Sequence, residues 1–276
     1  MNILHSKISE SDMNQGVGGH ILVIDSGIGG LGVLSHVQKY LPNVDYSYVA
    51  DEAFFPYGRL SKQTLEHRAA QIVAAIDRAN NLDCVVVACN TASTVVLEHL
   101  RAKFNVPIIG IVPAIKVAAK LTRTKAIGIL ATEATAKGEY IKTLVEKFAN
   151  DCVVKLHGAK NLAHLAEQKL NGKKLSIADV AREIAPLFSA MRFKEQKHID
   201  QVVLGCTHYP FLLDELKQAA PYVVNWVDPA EAVANQVVKL FKPHQTTNIV
   251  SRSTYYTTAQ KSGYKVKNIG FQFLQL

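Results

Sequence analysis

Val85-Val86-Val87-Ala88-Cys89-Asn90-Thr91-Ala92-Ser93 is an apolar run that stops at a cysteine and passes into small polar residues. The same construction returns at Val202-Val203-Leu204-Gly205-Cys206-Thr207-His208-Tyr209-Pro210. A short apolar run bounded by turn signals reads as a strand buried on both faces, the habit of parallel sheets. Each cysteine therefore falls at the carboxyl end of a parallel strand, where open α/β sheets bind their ligands. A thiol there also meets the amino end of the next helix, whose free N–H groups and dipole favour an anion, whether thiolate or carboxylate. Two such thiols on two similar halves form a candidate catalytic pair.

The rest of the chain alternates strand-like and helix-like pieces, which predicts an α/β fold with mainly parallel sheets. Strands are expected at residues 21–25, 46–50, 84–88 and 106–111. After Pro113 the scheme restarts, with strands at 126–130, 152–156 and around 202–205. Long helices are expected at 61–79, 91–103, 160–170 and 176–191, the last broken or kinked by Pro186. The strand at 222–227 has no counterpart in the second half and is expected to return to the first. The reading is two pseudo-symmetric parallel-sheet domains facing each other across a central cleft, a common place for ligands. Residues 21–114 plus 223–276 form the first domain, carrying Cys89, and 115–222 the second, carrying Cys206. Residues 1–20 are polar and read as a flexible tail rather than a secretory signal.

Several functions are disfavoured by composition. The chain of 276 residues has a net charge of +8, but its lysines and arginines are scattered, so solvated helix faces explain the charge better than a dedicated nucleic-acid site. No apolar stretch approaches the roughly 18 residues of a membrane span. The four cysteines include no CxxC and no paired metal spacing, so no metal site is expected, and reduced thiols fit a cytoplasmic protein.

Asp25-Ser26-Gly27-Ile28-Gly29-Gly30-Leu31-Gly32 contains G-x-G-x-x-G between a strand and a helix, with Asp51 about 20 residues on. It admits three readings: a dinucleotide fingerprint, a tight turn, or a turn holding a small acid beside a working Asp25. Asp25 argues against the first, since its carboxylate would stand beside a pyrophosphate. Cys84 and Cys152, inside or at the start of apolar runs, read as structural thiols. Cys89 and Cys206 differ, because Asn90 and Thr91, or Thr207 and His208, supply groups able to grip a carboxylate. His208 has the chemistry to deprotonate or orient the Cys206 thiol. Asp25 and Asp51, at strand ends, suit accepting a thiol proton or binding an ammonium group, or else capping helices. Tyr57-Gly58 reads as a binding loop or a simple turn, and Glu167 by itself as a solvated helix residue.

Together these motifs resemble the glutamate racemases of the aspartate/glutamate racemase family, cofactor-independent enzymes that make D-glutamate for peptidoglycan. The likeness rests on Asp25 to Leu31, Pro56-Tyr57-Gly58, Ala88 to Ser93 and Gly205 to Pro210, in that order, within residues 21–241. It implies that Cys89 takes the proton from D-glutamate and Cys206 from L-glutamate, with Asp25 and His208 as auxiliary groups and Asp51 and Glu167 in support. It further implies substrate contacts from Asp25, Ser26, Tyr57, Gly58, Asn90, Thr91, Thr207 and His208, with Thr132 and Thr135 adding to them. No cofactor is implied. A cell-wall precursor as activator and a homodimer are left open by the resemblance. An aspartate racemase, a nucleotide-dependent oxidoreductase and a non-catalytic binding protein are the rival readings.

The chemistry agrees. Moving a proton to invert a stereocentre needs a base on one face and an acid on the other. With no electron-sink cofactor, the enediolate-like anion must be stabilised by preorganised donors, the use expected of Asn90, Thr91, Thr207 and backbone N–H groups.

Overall fold

A computed structural model describes residues 17–189, 198–245 and 251–276. The readings placed on residues 1–16 and on the end of the helix expected to reach Met191 lie outside the described residues. In chain order the strands are β1 (Val17–Gly18), β2 (His20–Asp25), β3 (Asp45–Ala50), β4 (Cys84–Val87), β5 (Ile108–Gly110), β6 (Ala126–Thr132), β7 (Val153–Ala159), β8 (Gln201–Gly205), β9 (Asn225–Val227), β10 (His244–Gln245), β11 (Ser253–Thr257) and β12 (Phe271–Phe273). The helices are α1 (Leu31–Tyr40), α2 (Lys62–Asn80), α3 (Asn90–Ser93), α4 (Leu97–Lys103), α5 (Ile115–Leu121), α6 (Glu133–Lys137), α7 (Glu139–Phe148), α8 (Leu162–Leu170), α9 (Ile177–Phe188), α10 (Leu213–Ala219) and α11 (Ala230–Leu240).

Two sheets, each wholly parallel, carry the fold. The first is ordered β12-β11-β3-β2-β4-β5 and the second β7-β6-β8-β9. Every side chain of β4 is buried, as a strand covered on both faces requires. Period-two alternation divides β2 between two cores. Ile21 and Val23 pack with Val33, Leu34 and Val37 of α1 and Val233 and Val237 of α11. Leu22 and Ile24 pack with Leu65, Ala69, Ile72, Val73 and Ile76 of α2. The second sheet repeats the plan: Leu130, Val202 and Leu204 meet α8, α9 and α10, while Ile127, Ile129 and Val203 meet α5 and α7.

Strand order puts a switch point in each sheet. From β2 the chain winds outward to β3 and then returns to the other side as β4, so the loops after β2 and β4 diverge and leave a crevice between Asp25 and Cys89. In the second sheet β6, β7 and β8 do the same, leaving a crevice between Thr132 and Cys206.

Several expectations are corrected. β9 pairs in parallel with β8, so the segment expected to rejoin the first domain at residue 223 completes the second sheet instead. The return comes later, with α11 against α1 and β11 against β3. Residues 17–20 are not a tail, since β1 pairs with β10 and His20 opens β2. The helix expected over 91–103 is two, α3 and α4, and the turn after β6 leads to two helices with Gly138 between them. Of the two readings of Pro186, a break is excluded, since helix α9 continues through it to Phe188. The cap of α2 is Ser61, whose hydroxyl accepts from the Thr64 N–H at 3.2 Å.

Candidate active site

Cys89 ends the β4 run and stands immediately before α3, with 7% of its surface exposed. Its sulfur lies 3.9 Å from the Ser26 hydroxyl. Burial pushes this thiol up to about 12, helped by the Asp25 carboxylate and the second thiol, against the pull of the Ala92 N–H and Ser26. The expected favouring of a thiolate by the helix end does not prevail at Cys89: α3 is one turn long, and desolvation beside an acid outweighs it.

Cys206 follows β8 and is 8% exposed. No helix starts there directly; a 3-10 turn, Tyr209–Leu212, intervenes before α10. The Cys206 sulfur is 3.8 Å from Nδ1 of His208, whose Nε2 lies 2.6 Å from Oε1 of Glu167. Burial alone would push this imidazole toward its neutral form. Hydrogen bonds and charge from Cys206 and Glu167 outweigh that and hold it well above its ordinary value, as an imidazolium.

The two halves close on each other through polar contacts. Asp25 is fully buried; its Oδ1 accepts from the Gly27 N–H at 2.9 Å and its Oδ2 from the Thr207 hydroxyl at 3.0 Å. Ser26 touches the first sulfur, and Thr207 is covalently next to Cys206, so Asp25 and Ser26 tie both thiols to one place. Burial pushes the Asp25 carboxyl up, while His208, Gly27 and Thr207 pull it down. Glu167 Oε1 also accepts from the Ile28 N–H at 3.3 Å. The Thr91 hydroxyl lies 3.0 Å from that of Thr135 and 3.4 Å from that of Thr132, which caps α6. Three hydroxyls from both sheets thus converge at one point of the cleft.

The remaining expected residues divide in two. Asn90 is buried, and neither of its side-chain amide atoms has a partner. Such a group is costly unless a ligand satisfies it. Tyr57 and Gly58 lie in a 3-10 turn; Tyr57 is buried, and a Cβ on Gly58 would stand 2.9 Å from that of Ala134 in α6. Gly58 therefore lets this loop approach the second sheet's helix. Asp51 directly follows β3, with its carboxylate turned to the loop that carries Tyr57. Its carboxylate is held by Arg68 at 2.7 Å, by the Tyr57 hydroxyl at 2.8 Å and by the Thr258 hydroxyl at 2.6 Å, which makes it the support of that loop. Glu167 on a solvated face is overturned, since it is 6% exposed and clamped between His208 and Ile28.

The glycine motif is used for close approach. A Cβ on Gly29 would lie 2.5 Å from His208 Nδ1 and 2.7 Å from Thr207 Oγ1, and one on Gly27 would lie 2.5 Å from Glu167 Oε1. The turn that a dinucleotide phosphate would occupy is covered by the other half of the molecule, which removes the nucleotide reading. Arg68, Glu52, Thr258 and Tyr264 also reach this region, and no motif in the sequence marks them. Among the described residues no helix is long and apolar enough to cross a membrane, and no group of three His, Cys, Asp or Glu side chains gathers as metal ligands.

With that geometry in place the class is clear: the chain belongs to the Asp/Glu/hydantoin racemase family, whose pattern matches residues 21–237. It is 44% identical over 243 residues to the glutamate racemase of Photorhabdus laumondii, covering 88% of this chain and 82% of that one. It is 44% identical over 220 residues to that of Pasteurella multocida, covering 80% of each. The crystal structure of Escherichia coli glutamate racemase, in complex with L-glutamate and the activator UDP-MurNAc-Ala, superposes with a TM-score of 0.81 at 39% identity, covering 89% of this chain and 91% of that one. Within the family the chain is an amino-acid racemase acting on glutamate.

Proposed function

We propose that L- and D-glutamate are interconverted here between Cys89 and Cys206, one on each face of Cα, to supply D-glutamate for peptidoglycan. The observation that carries this reading is the link through Ser26, Asp25 and Thr207, which gathers two thiols from separate sheets at one point. With L-glutamate, the Cys206 sulfur beside the His208 imidazolium removes the α-proton and the neutral Cys89 thiol returns one to the opposite face. With D-glutamate the roles exchange, and the proton leaving or reaching Cys89 has Asp25 close by. Asn90 supplies unpaired donor and acceptor atoms, and the hydroxyls of Thr91, Thr132, Thr135 and Thr207 and the Ser26 hydroxyl bind the substrate's charged groups. Fixed donors of this kind stabilise the anion formed at Cα. Closure of the halves excludes water.

The test is incubation of the protein with L-glutamate in D₂O without added cofactor, following optical rotation and deuterium at Cα together. Loss of rotation with one deuterium entering each D-glutamate formed supports the reading; loss of rotation without deuterium would sink it. By the same reading the enzyme works in the cytoplasm; the activator bound in the Escherichia coli relative supports a cell-wall precursor in that role here, and a homodimer is left open by the resemblance. Turnover with and without UDP-MurNAc-Ala and sedimentation of the protein at working concentration check the last two.

A further inference from the structure

Tyr48 is a fully buried phenol that the mechanism above leaves unused. It stands in β3, with its ring 6.3 Å from that of Tyr255 in β11, the strand that the last part of the chain adds beside it. Its hydroxyl reaches the glycine turn and donates to the Gly27 carbonyl at 2.7 Å. The Ile28 N–H belongs to the same peptide unit, and it donates at 3.3 Å to Glu167 Oε1 of the other half. A trans peptide is planar, with C=O and N–H pointing opposite ways, so a partner on the oxygen fixes where the hydrogen points. Glu167 Oε1 is also the atom 2.6 Å from His208 Nε2, and the Nδ1 of that ring is 3.8 Å from the Cys206 sulfur. An unbroken line of hydrogen bonds therefore runs from β3 in one half, through a single peptide, to the thiol of the other.

We propose that Tyr48 is a positioning residue for the racemisation: its hydroxyl holds the Gly27–Ile28 peptide with the N–H on Glu167, so that one carboxylate oxygen divides its charge between Ile28 and His208. The inference rests on the two-thiol reading. Burial pushes the Tyr48 hydroxyl well above its ordinary value, and Asp25, Tyr264, Glu167 and Cys89 push the same way, so it stays protonated and acts as a donor. The sign of the effect follows from two donors sharing one acceptor. Without Ile28 the oxygen turns wholly to His208 and the bond to Nε2 tightens. The imidazolium is then a weaker donor at Nδ1, and a thiolate at Cys206 is less well held.

Tyr48→Phe keeps the ring and removes the donor. In this variant kcat with L-glutamate is expected to fall about fivefold, the scale of one neutral hydrogen bond, with KM within about twofold of the parent. Proton spectra of protein labelled at the histidine nitrogens, taken at one pH, supply a readout that a loss of packing would not move. The proton between His208 and Glu167 should resonate farther downfield in Tyr48→Phe than in the parent, because that bond has tightened. An unmoved resonance, or kcat within about twofold of the parent, would overturn the inference. If Tyr48→Phe does not fold, the parent decides: the Tyr48 hydroxyl proton and the Ile28 amide proton should both be protected from solvent exchange, and rapid exchange of either overturns it. Cys206→Ser, assayed alongside, separates the two failures. If it stays active, the two-thiol reading itself is wrong, whereas if it is inactive and the resonance is unmoved, only the role of Tyr48 falls.

Discussion

At Cys89 the same environment has two consequences. Desolvation and Asp25 push its thiol up to about 12, which in the proposed two-thiol scheme suits an acid for L-glutamate and makes a reluctant base for D-glutamate. The sign follows: below that value the thiolate fraction grows with pH, so kcat with D-glutamate should climb between about pH 7 and about pH 9. A flat profile, measured by circular dichroism of the product, would count against Cys89 as the base in that direction. Serine is a far weaker acid than a thiol, so Cys89→Ser or Cys206→Ser should lower kcat/KM about a thousandfold, within the range of one general acid or base. The loss must be equal in both directions, since each transition state needs both sulfurs. Activity within tenfold of the parent in either variant would refute the scheme.

Secondary-structure elements explain why these residues and not others could be read in advance. Cys89, Cys206, Asp25 and His208 sit where an apolar run ends, and a strand end in a parallel sheet is a place that local pattern reveals. Asp51 meets the same criterion, but its partners are not legible locally, because Arg68 comes from α2 and Thr258 from the far end of the chain, and neither carries a local signal. Glu52 and Gly263 are paired across most of the chain, and so was the second-sheet membership of β9 decided by a partner rather than by its own residues. The buried Asp51–Arg68 pair adjoins the Tyr57 turn, so Arg68→Ala, which leaves a carboxylate without its counter-charge, should destabilise the fold by about 3–5 kcal/mol in denaturant titrations. A cost under about 1 kcal/mol would show that the loop stands without it. The glycine turn before α1 makes a different demand. Gly29→Ala would press a methyl group against His208 and Thr207, and displacement of catalytic groups by an ångström is enough to lower kcat about a hundredfold. Thermal unfolding of that variant should change little, and unchanged kcat would mean that the halves tolerate a wider gap.

For the molecule as a whole, the described hydrogen bonds that join the two halves around the site are few: Asp25 with Thr207, Ile28 with Glu167, Thr91 with Thr132 and Thr135, and Lys265 with Asn171. Such contacts can part and remake at small cost, which fits a cleft that opens to admit an amino acid and shuts to exclude water. Saturating D-glutamate is therefore expected to slow amide hydrogen exchange at residues 25–30, 89–93 and 205–209 together, leaving the sheet interiors unchanged; protection of one segment alone would argue against concerted closure. The placement of β11 and β12 bears on how the protein is made. Strands β6 to β9 form the second sheet from one continuous stretch, while the first sheet draws its outer strands from the last part of the chain. On a ribosome the second half can finish folding while the first still lacks an edge, so the newborn enzyme stays incomplete until translation has passed Phe273.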